Sequence, residues 1–134
     1  MILYCNAPIS FQAKKIKIVP QSTQEAELAI YAAAARDLKF VVQLLGSDGL
    51  QKQDFDLPIT IYCDNSAAVD MIKKPGATAR TRHYERWLLY AREQHLDNVS
   101  SPVWIDTDKM IGDIFTKPLD KTKFLRFRKA MLGY

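Results

Sequence analysis

Three acidic residues stand where the sequence pattern places a carboxylate in a helix or at the end of a strand. Glu27 lies one turn into a predicted helix, Asp64 ends an apolar run, and Asp113 begins a second helical run. Hard divalent cations take several oxygen ligands that converge from a rigid scaffold. Carboxylates that are distant in sequence but fixed on such elements are therefore candidates for a divalent-metal site.

Asp64 and Asp113 each also have a purely structural explanation, and Glu27 has a rival acid nearby. Asp64 could cap the helix that follows it, and Asp113 could be a first-turn acid that favours the helix dipole. Glu25 is a close rival of Glu27, although a capping box with Ser22 would give Glu25 a structural role. The local rivals of Asp113 are Asp106, Asp108 and Asp120. The pattern alone leaves these alternatives open.

The first half of the chain supplies strands and one long helix. Residues 9–13 and 16–18 alternate apolar and polar side chains, which predicts one long or bent strand. Ser22 can cap a helix whose apolar residues recur at helical spacing up to Gly46. Pro58 introduces the apolar run 59–63, which is typical of a buried parallel strand and ends at Asp64.

The second half of the chain adds four helices and one strand. A short helix capped by Asn65 or Ser66 ends at Ile72, and a second helix covers 81–94. A strand over 99–105 follows. The next helix, at Asp113, is capped by Thr107 or Asp108 and broken by Pro118, and a basic amphipathic helix covers 121–132. This order predicts a mixed α/β fold.

Five stretches of the chain carry a resemblance to a known family. They are Ala7–Lys15, Gln21–Ala35, Ile61–Asn65, Arg80–His83 and Asp113–Leu119. Together they resemble the ribonuclease H domain at the C-terminal end of copia-type retrotransposon polyproteins, from about Ala7 to Gly133. The resemblance implies a ribonuclease H-like fold, with a mixed sheet flanked by helices, as a single domain over residues 1–134.

The resemblance also selects among the acids. In ribonucleases H of this kind four carboxylates bind two metal ions, and Glu27, Asp64 and Asp113 match the second, third and fourth. They are therefore the expected catalytic and metal-binding residues. The first carboxylate belongs to an Asp in the opening strand, and Met1–Asn6 contains no acid. We accordingly expect Mg²⁺ or Mn²⁺ to bind weakly.

The same resemblance implies that the first, central strand of the fold is missing or replaced. Met1–Asn6 could occupy its place, another copy could donate a strand, or the native gene product could be longer than this chain. The expectations are thus an N-terminally truncated domain, a possible homodimer by strand exchange, and reduced or no activity.

Basic residues suggest a nucleic-acid partner. The net charge is +4, and lysines and arginines cluster near residues 14–17, 73–92 and 117–129. Such clusters suit a phosphate-lined ligand, although a solvated face is the alternative. Through the resemblance, the residues expected to contact an RNA–DNA hybrid are Lys74, Arg80, Arg82 and His83.

Other features restrict the class of protein. No apolar run is long enough to span a membrane, and the chain start has no signal-peptide pattern, so we expect an intracellular protein of the cytoplasm or nucleus without a membrane partner. Cys5 and Cys63 are predicted to be reduced core residues. Trp87, Trp104 and Phe115 are predicted to be core residues rather than stacking platforms.

The leading hypothesis is a copia-type ribonuclease H domain that hydrolyses the RNA strand of RNA–DNA hybrids by a two-metal mechanism. The alternative is a catalytically inactive, co-opted domain that binds nucleic acid or another protein. A third possibility is a purely structural dimer in which the acids are incidental.

Overall fold

The computed structural model describes residues 1–4, 7–13, 20, 22–47, 56–74 and 85–133. The chain forms two compact units, one of Met1–Lys17 with Asp106–Tyr134 and one of Ile18–Ile105. The described strands form two two-stranded sheets. With four α-helices beside them, they confirm the predicted mixed α/β class and are compatible with a ribonuclease H-like layout.

The unit Ile18–Ile105 packs three helices against a parallel strand pair. Its elements in chain order are α1 (Thr23–Ser47), β3 (Ile59–Cys63), α2 (Ser66–Lys73), α3 (Glu85–Leu96) and β4 (Ser100–Trp104). Strands β3 and β4 pair in parallel over their whole length. The core is formed by Leu28, Tyr31, Ala35, Cys63, Ala68, Val69, Ile72, Leu88 and Ala91.

Helix α1 follows the predicted pattern because both its start and its buried face are encoded locally. The Ser22 hydroxyl accepts a hydrogen bond from the Glu25 backbone N–H at 3.1 Å, as expected of a helix cap. Residues at helical spacing are buried along one face. The buried Tyr31 hydroxyl lies 3.1 Å from the Ser100 hydroxyl, which joins α1 to β4.

The other unit contains a hairpin, two 3₁₀ turns and the last helix. Strands β1 (Ile2–Tyr4) and β2 (Ala7–Ser10) pair antiparallel. The 3₁₀ turns Thr107–Lys109 and Ile111–Phe115 precede α4 (Lys121–Leu132). Helix α4 packs against β2 and against the second 3₁₀ turn.

Local caps and one aromatic pair fix the ends of these elements. The Asp120 carboxylate caps α4 by accepting a hydrogen bond from the Lys123 N–H at 3.0 Å. Gly133 ends the helix in the left-handed region at φ 79°, a conformation that favours glycine. Phe11 stacks on Phe115 with ring centroids 5.0 Å apart.

Two predicted elements differ from the structure. Strand β2 ends at Ser10 instead of continuing to residue 13, and residues 16–18 lie outside the described part. The run at Asp113 is a 3₁₀ turn rather than a helix to Leu119. It begins after Met110 without a side-chain cap, so neither Thr107 nor Asp108 caps it. Pro118 lacks an N–H and disfavours helix in the residue before it, so the turn cannot extend.

Three side-chain predictions have mixed outcomes. Cys63 is buried and free, as predicted, whereas Cys5 lies outside the described residues. Trp87 packs against the core. Trp104 was predicted to be buried, but 52% of it is exposed because it is the last residue of β4, where the strand pair ends.

The sequence predicted no apolar segment long enough to span a membrane, and the helices of the structure can be compared with that prediction. Within the described ranges, no helix combines the length and apolar character needed to cross a bilayer.

Candidate metal centre

Glu27 lies on the face of α1 that meets strand β3. Helix α1 contacts β3, and the residue after Glu27, Leu28, is fully buried. The Glu27 Oε2 atom accepts a hydrogen bond from the Cys63 thiol at a sulfur–oxygen distance of 3.8 Å. The carboxylate is half-buried and directed toward the strand, as the helical spacing predicted.

Asp64 directly follows β3 and is not needed as a helix cap. The cap of α2 is Asn65, whose Oδ1 accepts a hydrogen bond from the Ala68 N–H at 3.0 Å. The backbone carbonyl of Asp64 accepts a hydrogen bond from the Trp104 indole N–H at 3.3 Å. The strand end is thereby fixed, and the structural explanation of Asp64 as a cap does not apply.

The side chains of Glu27, Cys63 and Asp64 form one cluster. One potential ligand atom of each lies within 4.8 Å of the other two. Two carboxylates that converge from a helix and a strand end can provide oxygen ligands for a hard divalent cation. We call these two carboxylates the acid pair.

Cys63 is the member of this cluster that sequence reasoning did not assign to the site. Burial, with the nearby charges of Glu27 and Asp64, raises the pKa of the Cys63 thiol to about 11. The thiol is therefore protonated at neutral pH, and only a thiolate is a good metal ligand. The Cys63 sulfur lies 3.8 Å from Glu27 Oε2 and 3.7 Å from the Asn65 carbonyl oxygen, so its single S–H has an acceptor in the acid pair and another at the start of α2. Its position directly before Asp64 was the available signal.

Asp113 is held in the other unit, in the 3₁₀ turn Ile111–Phe115. Only 5% of the residue is exposed. Its Oδ1 atom lies 3.0 Å from the Lys117 ammonium, and its Oδ2 atom is buried without a hydrogen-bond partner among the residues that the structure describes. A buried carboxylate oxygen without a donor is suited to accept a cation.

The rivals of Asp113 have structural roles. Asp106 accepts a hydrogen bond from the Asp108 N–H at 2.8 Å, and Asp120 caps α4. Asp108 is exposed and forms an ion pair with Lys123 at 3.1 Å. Asp113 is the buried acid of this group.

The residues expected to bind nucleic acid are described only in part. Lys74 is exposed at the end of α2 and forms an ion pair with Asp70 at 3.0 Å. Arg80, Arg82 and His83 lie outside the described residues.

Helix α4 provides a second basic surface. Lys123 donates a hydrogen bond to the Asp108 carboxylate, and Arg126 donates one to the Asp108 backbone carbonyl. The cationic groups of Lys123 and Arg126 lie 5.5 and 5.2 Å from the Phe127 ring centroid. Lys121 and Lys129 are exposed, and the helix contains no acidic residue. We call Lys121 and Lys129 the α4 basic face.

Comparison with known proteins relates the chain to retroelement polyproteins. It is 31% identical over 124 residues to the retrovirus-related Pol polyprotein from transposon RE2 of Arabidopsis thaliana, and 31% identical over 120 residues to the one from transposon RE1 of that plant. It is 27% identical over 124 residues to the Pol polyprotein from transposon TNT 1-94 of Nicotiana tabacum.

These similarities include nearly all of this chain but little of each relative. They cover 90–92% of the chain and 8–9% of the relatives. No protein-family model and no solved structure matches the chain. The chain is therefore homologous to a short segment of the Pol polyproteins of copia-type transposons.

Proposed function

We propose that the chain is a ribonuclease H-type domain that hydrolyses the RNA strand of RNA–DNA hybrids with Mg²⁺ or Mn²⁺. The observation that carries the proposal is the convergence of Glu27 and Asp64 within 4.8 Å, from a helix and from a strand end. These are two of the positions that the resemblance assigns to metal ligands. The homology to Pol polyproteins supports a role in a retroelement.

The donor atoms of the proposed ligands fit a hard divalent cation. The acid pair offers converging carboxylate oxygens, and Asp113 has a buried oxygen without a hydrogen-bond partner in the described part of the chain. The resemblance assigns Asp113 to the same ligand set, and we retain that assignment. When bound, such ions provide the electrostatic stabilisation that an in-line phosphodiester displacement requires.

Neighbouring side chains contact the acid pair and its backbone. The Cys63 thiol donates to Glu27, and the Trp104 indole fixes the backbone at Asp64. Three of the carboxylates that the resemblance implies, Glu27, Asp64 and Asp113, lie within this chain.

The substrate would be bound through its phosphates. Basic residues neutralise phosphates and release counterions, and A-form-like duplexes are recognised mainly by shape and backbone. Lys74 and the α4 basic face are exposed cations available for such contacts. Arg80, Arg82 and His83 belong to the proposal through the resemblance.

Metal binding by purified protein tests the proposal. Calorimetric titration and thermal unfolding, each with Mg²⁺ and with Mn²⁺, should both detect metal binding by wild type. Asp64→Asn should greatly weaken that binding. Asp97→Asn is the matched control, because Asp97 is an exposed acid in the turn after α3. Equal metal binding by wild type and Asp64→Asn would contradict the assignment.

The second candidate function is nucleic-acid binding without hydrolysis. It is favoured by the acid-free α4 and its basic face, which would bind phosphates without any metal. Hybrid binding that is unchanged in EDTA and is accompanied by no cleavage would support this candidate.

A further inference from the structure

The Asp113 carboxylate already has a cation beside it. The Lys117 ammonium lies 3.0 Å from Oδ1, with 8% of the Asp113 side chain and 48% of the Lys117 side chain exposed. The other oxygen, Oδ2, is buried and has no hydrogen-bond partner in the described ranges. The carboxylate is thus neutralised at one oxygen only.

Local geometry holds Lys117 in this position. The Lys117 backbone N–H donates to the Asp113 carbonyl at 2.9 Å, so the two residues are one turn apart and their side chains lie on the same side. A buried carboxylate without a paired charge is strongly disfavoured. The ammonium therefore compensates for the burial of Asp113 when no metal ion is present.

A second ion pair in the chain shows what an ordinary pair at this spacing looks like. Lys74 and Asp70 are also four residues apart and 3.0 Å apart, but both side chains are mostly exposed, at 72% and 61%. Exposed pairs of this kind contribute little to stability. The pair at Asp113 differs because its acid is buried and retains an oxygen without a donor.

We infer that Lys117 is a built-in counter-cation that competes with a divalent metal ion for Asp113. Without metal, the ammonium pairs with the buried carboxylate and orients it. When a metal ion binds, the ammonium and the ion share one carboxylate, and their mutual repulsion weakens metal binding. Lys117 thus sets the metal concentration at which the site fills. This inference rests on the proposed function, because it requires Asp113 to be a metal ligand.

The test compares Lys117→Met with wild type in two measurements. Thermal unfolding in EDTA should show a lower Tm for Lys117→Met, because the buried carboxylate has lost its partner. Calorimetric titration with Mg²⁺ or Mn²⁺ should show a Kd roughly tenfold lower than that of wild type, which corresponds to about 1.4 kcal/mol. Metal should therefore raise the Tm of the variant more than that of wild type.

Two further variants keep the test decisive. Lys117→Gln retains a hydrogen-bond donor without the charge, so it should fold even if Lys117→Met does not, and it should also bind metal more tightly. Lys39→Met is the matched control, because Lys39 is an exposed lysine of α1, and its metal affinity should equal that of wild type.

The outcomes separate this inference from the proposed function. Metal binding by wild type with the same or a weaker affinity in Lys117→Gln would overturn the role of Lys117 and leave the proposed metal centre standing. No metal binding by any variant would overturn both. Metal binding by Lys117→Gln but not by wild type would support competition in its strongest form.

Discussion

Replacing Asp64 by Asn should stabilise the metal-free protein even though it removes a proposed metal ligand. Two carboxylates held close together repel each other, and a bound divalent cation reduces that repulsion. Asn is nearly the same shape as Asp but carries no charge. The substitution therefore removes the repulsion within the acid pair while preserving most of the packing.

The separation of the ligand atoms sets the size of this effect. The ligand atoms of Glu27 and Asp64 lie no more than 4.8 Å apart. For two unit charges at that upper limit, Coulomb's law gives about 3.5 kcal/mol at an effective dielectric constant of roughly 20 and about 0.9 kcal/mol in water. Both side chains are half-buried, so their environment lies between these limits. We expect Asp64→Asn to raise the free energy of unfolding by about 1 to 3 kcal/mol.

Urea unfolding at neutral pH, in EDTA and again in excess Mg²⁺, measures both consequences. Asp64→Asn should unfold at higher urea than wild type in EDTA and should gain little from Mg²⁺, whereas wild type should gain stability through metal binding. Glu27→Gln should behave in the same way. The control Asp97→Asn should stay within about 0.5 kcal/mol of wild type in both conditions.

One result would exclude both repulsion and metal binding at the acid pair. If Asp64→Asn and Glu27→Gln are both less stable than wild type in EDTA and gain as much stability from Mg²⁺ as wild type does, the acid pair neither repels nor binds metal. The two carboxylates would then have structural roles instead.

Three further predictions concern stability and binding. Burial raises the pKa of Tyr31 from 10.0 to about 12, so the unfolded chain loses a proton that the folded chain keeps. The free energy of unfolding should therefore fall as the pH rises between those two values, and it should fall less steeply in Tyr31→Phe. Urea unfolding at alkaline pH measures this, and an equally steep fall in both proteins would contradict the prediction. Asn65→Ala should lower the unfolding free energy by about 1 kcal/mol through loss of the α2 cap, whereas Asn65→Asp should not; equal unfolding midpoints would disprove the cap. Replacing Lys121 and Lys129 together by Ala should reduce the slope of log K for hybrid binding against log salt concentration by roughly 1.8. Fluorescence anisotropy measures this slope, and an unchanged slope would exclude the α4 basic face from hybrid binding.

Elements with local signals could be predicted from the sequence. Helix α1 follows from the cap at Ser22 and the helical spacing of its apolar residues, and α4 has the predicted bounds 121–132. Asp64 was expected at a strand end because the apolar run 59–63 stops there, and β3 has those bounds. In these cases neighbouring residues alone determine the local structure.

Features that depend on distant contacts could not be predicted in this way. The strand position of Trp104 suggested burial, but its exposure depends on where the strand pair ends. Cys63 lies beside Glu27 because α1 packs across β3, a contact between residues 36 apart in sequence. Asp113 is buried where the turn Ile111–Phe115 packs against α4, a contact that its neighbours in sequence do not determine.

Cleavage of a labelled RNA–DNA hybrid is the most direct test of the proposed ribonuclease H activity. Wild type, Asp64→Asn and Asp97→Asn would be compared with Mg²⁺, with Mn²⁺ and with EDTA, while hybrid binding is read in the same titration. We predict metal-dependent cutting of the RNA strand by wild type and Asp97→Asn, and binding without cutting by Asp64→Asn. Binding without cutting by wild type under all conditions, or cutting that Asp64→Asn leaves unchanged, would contradict the account.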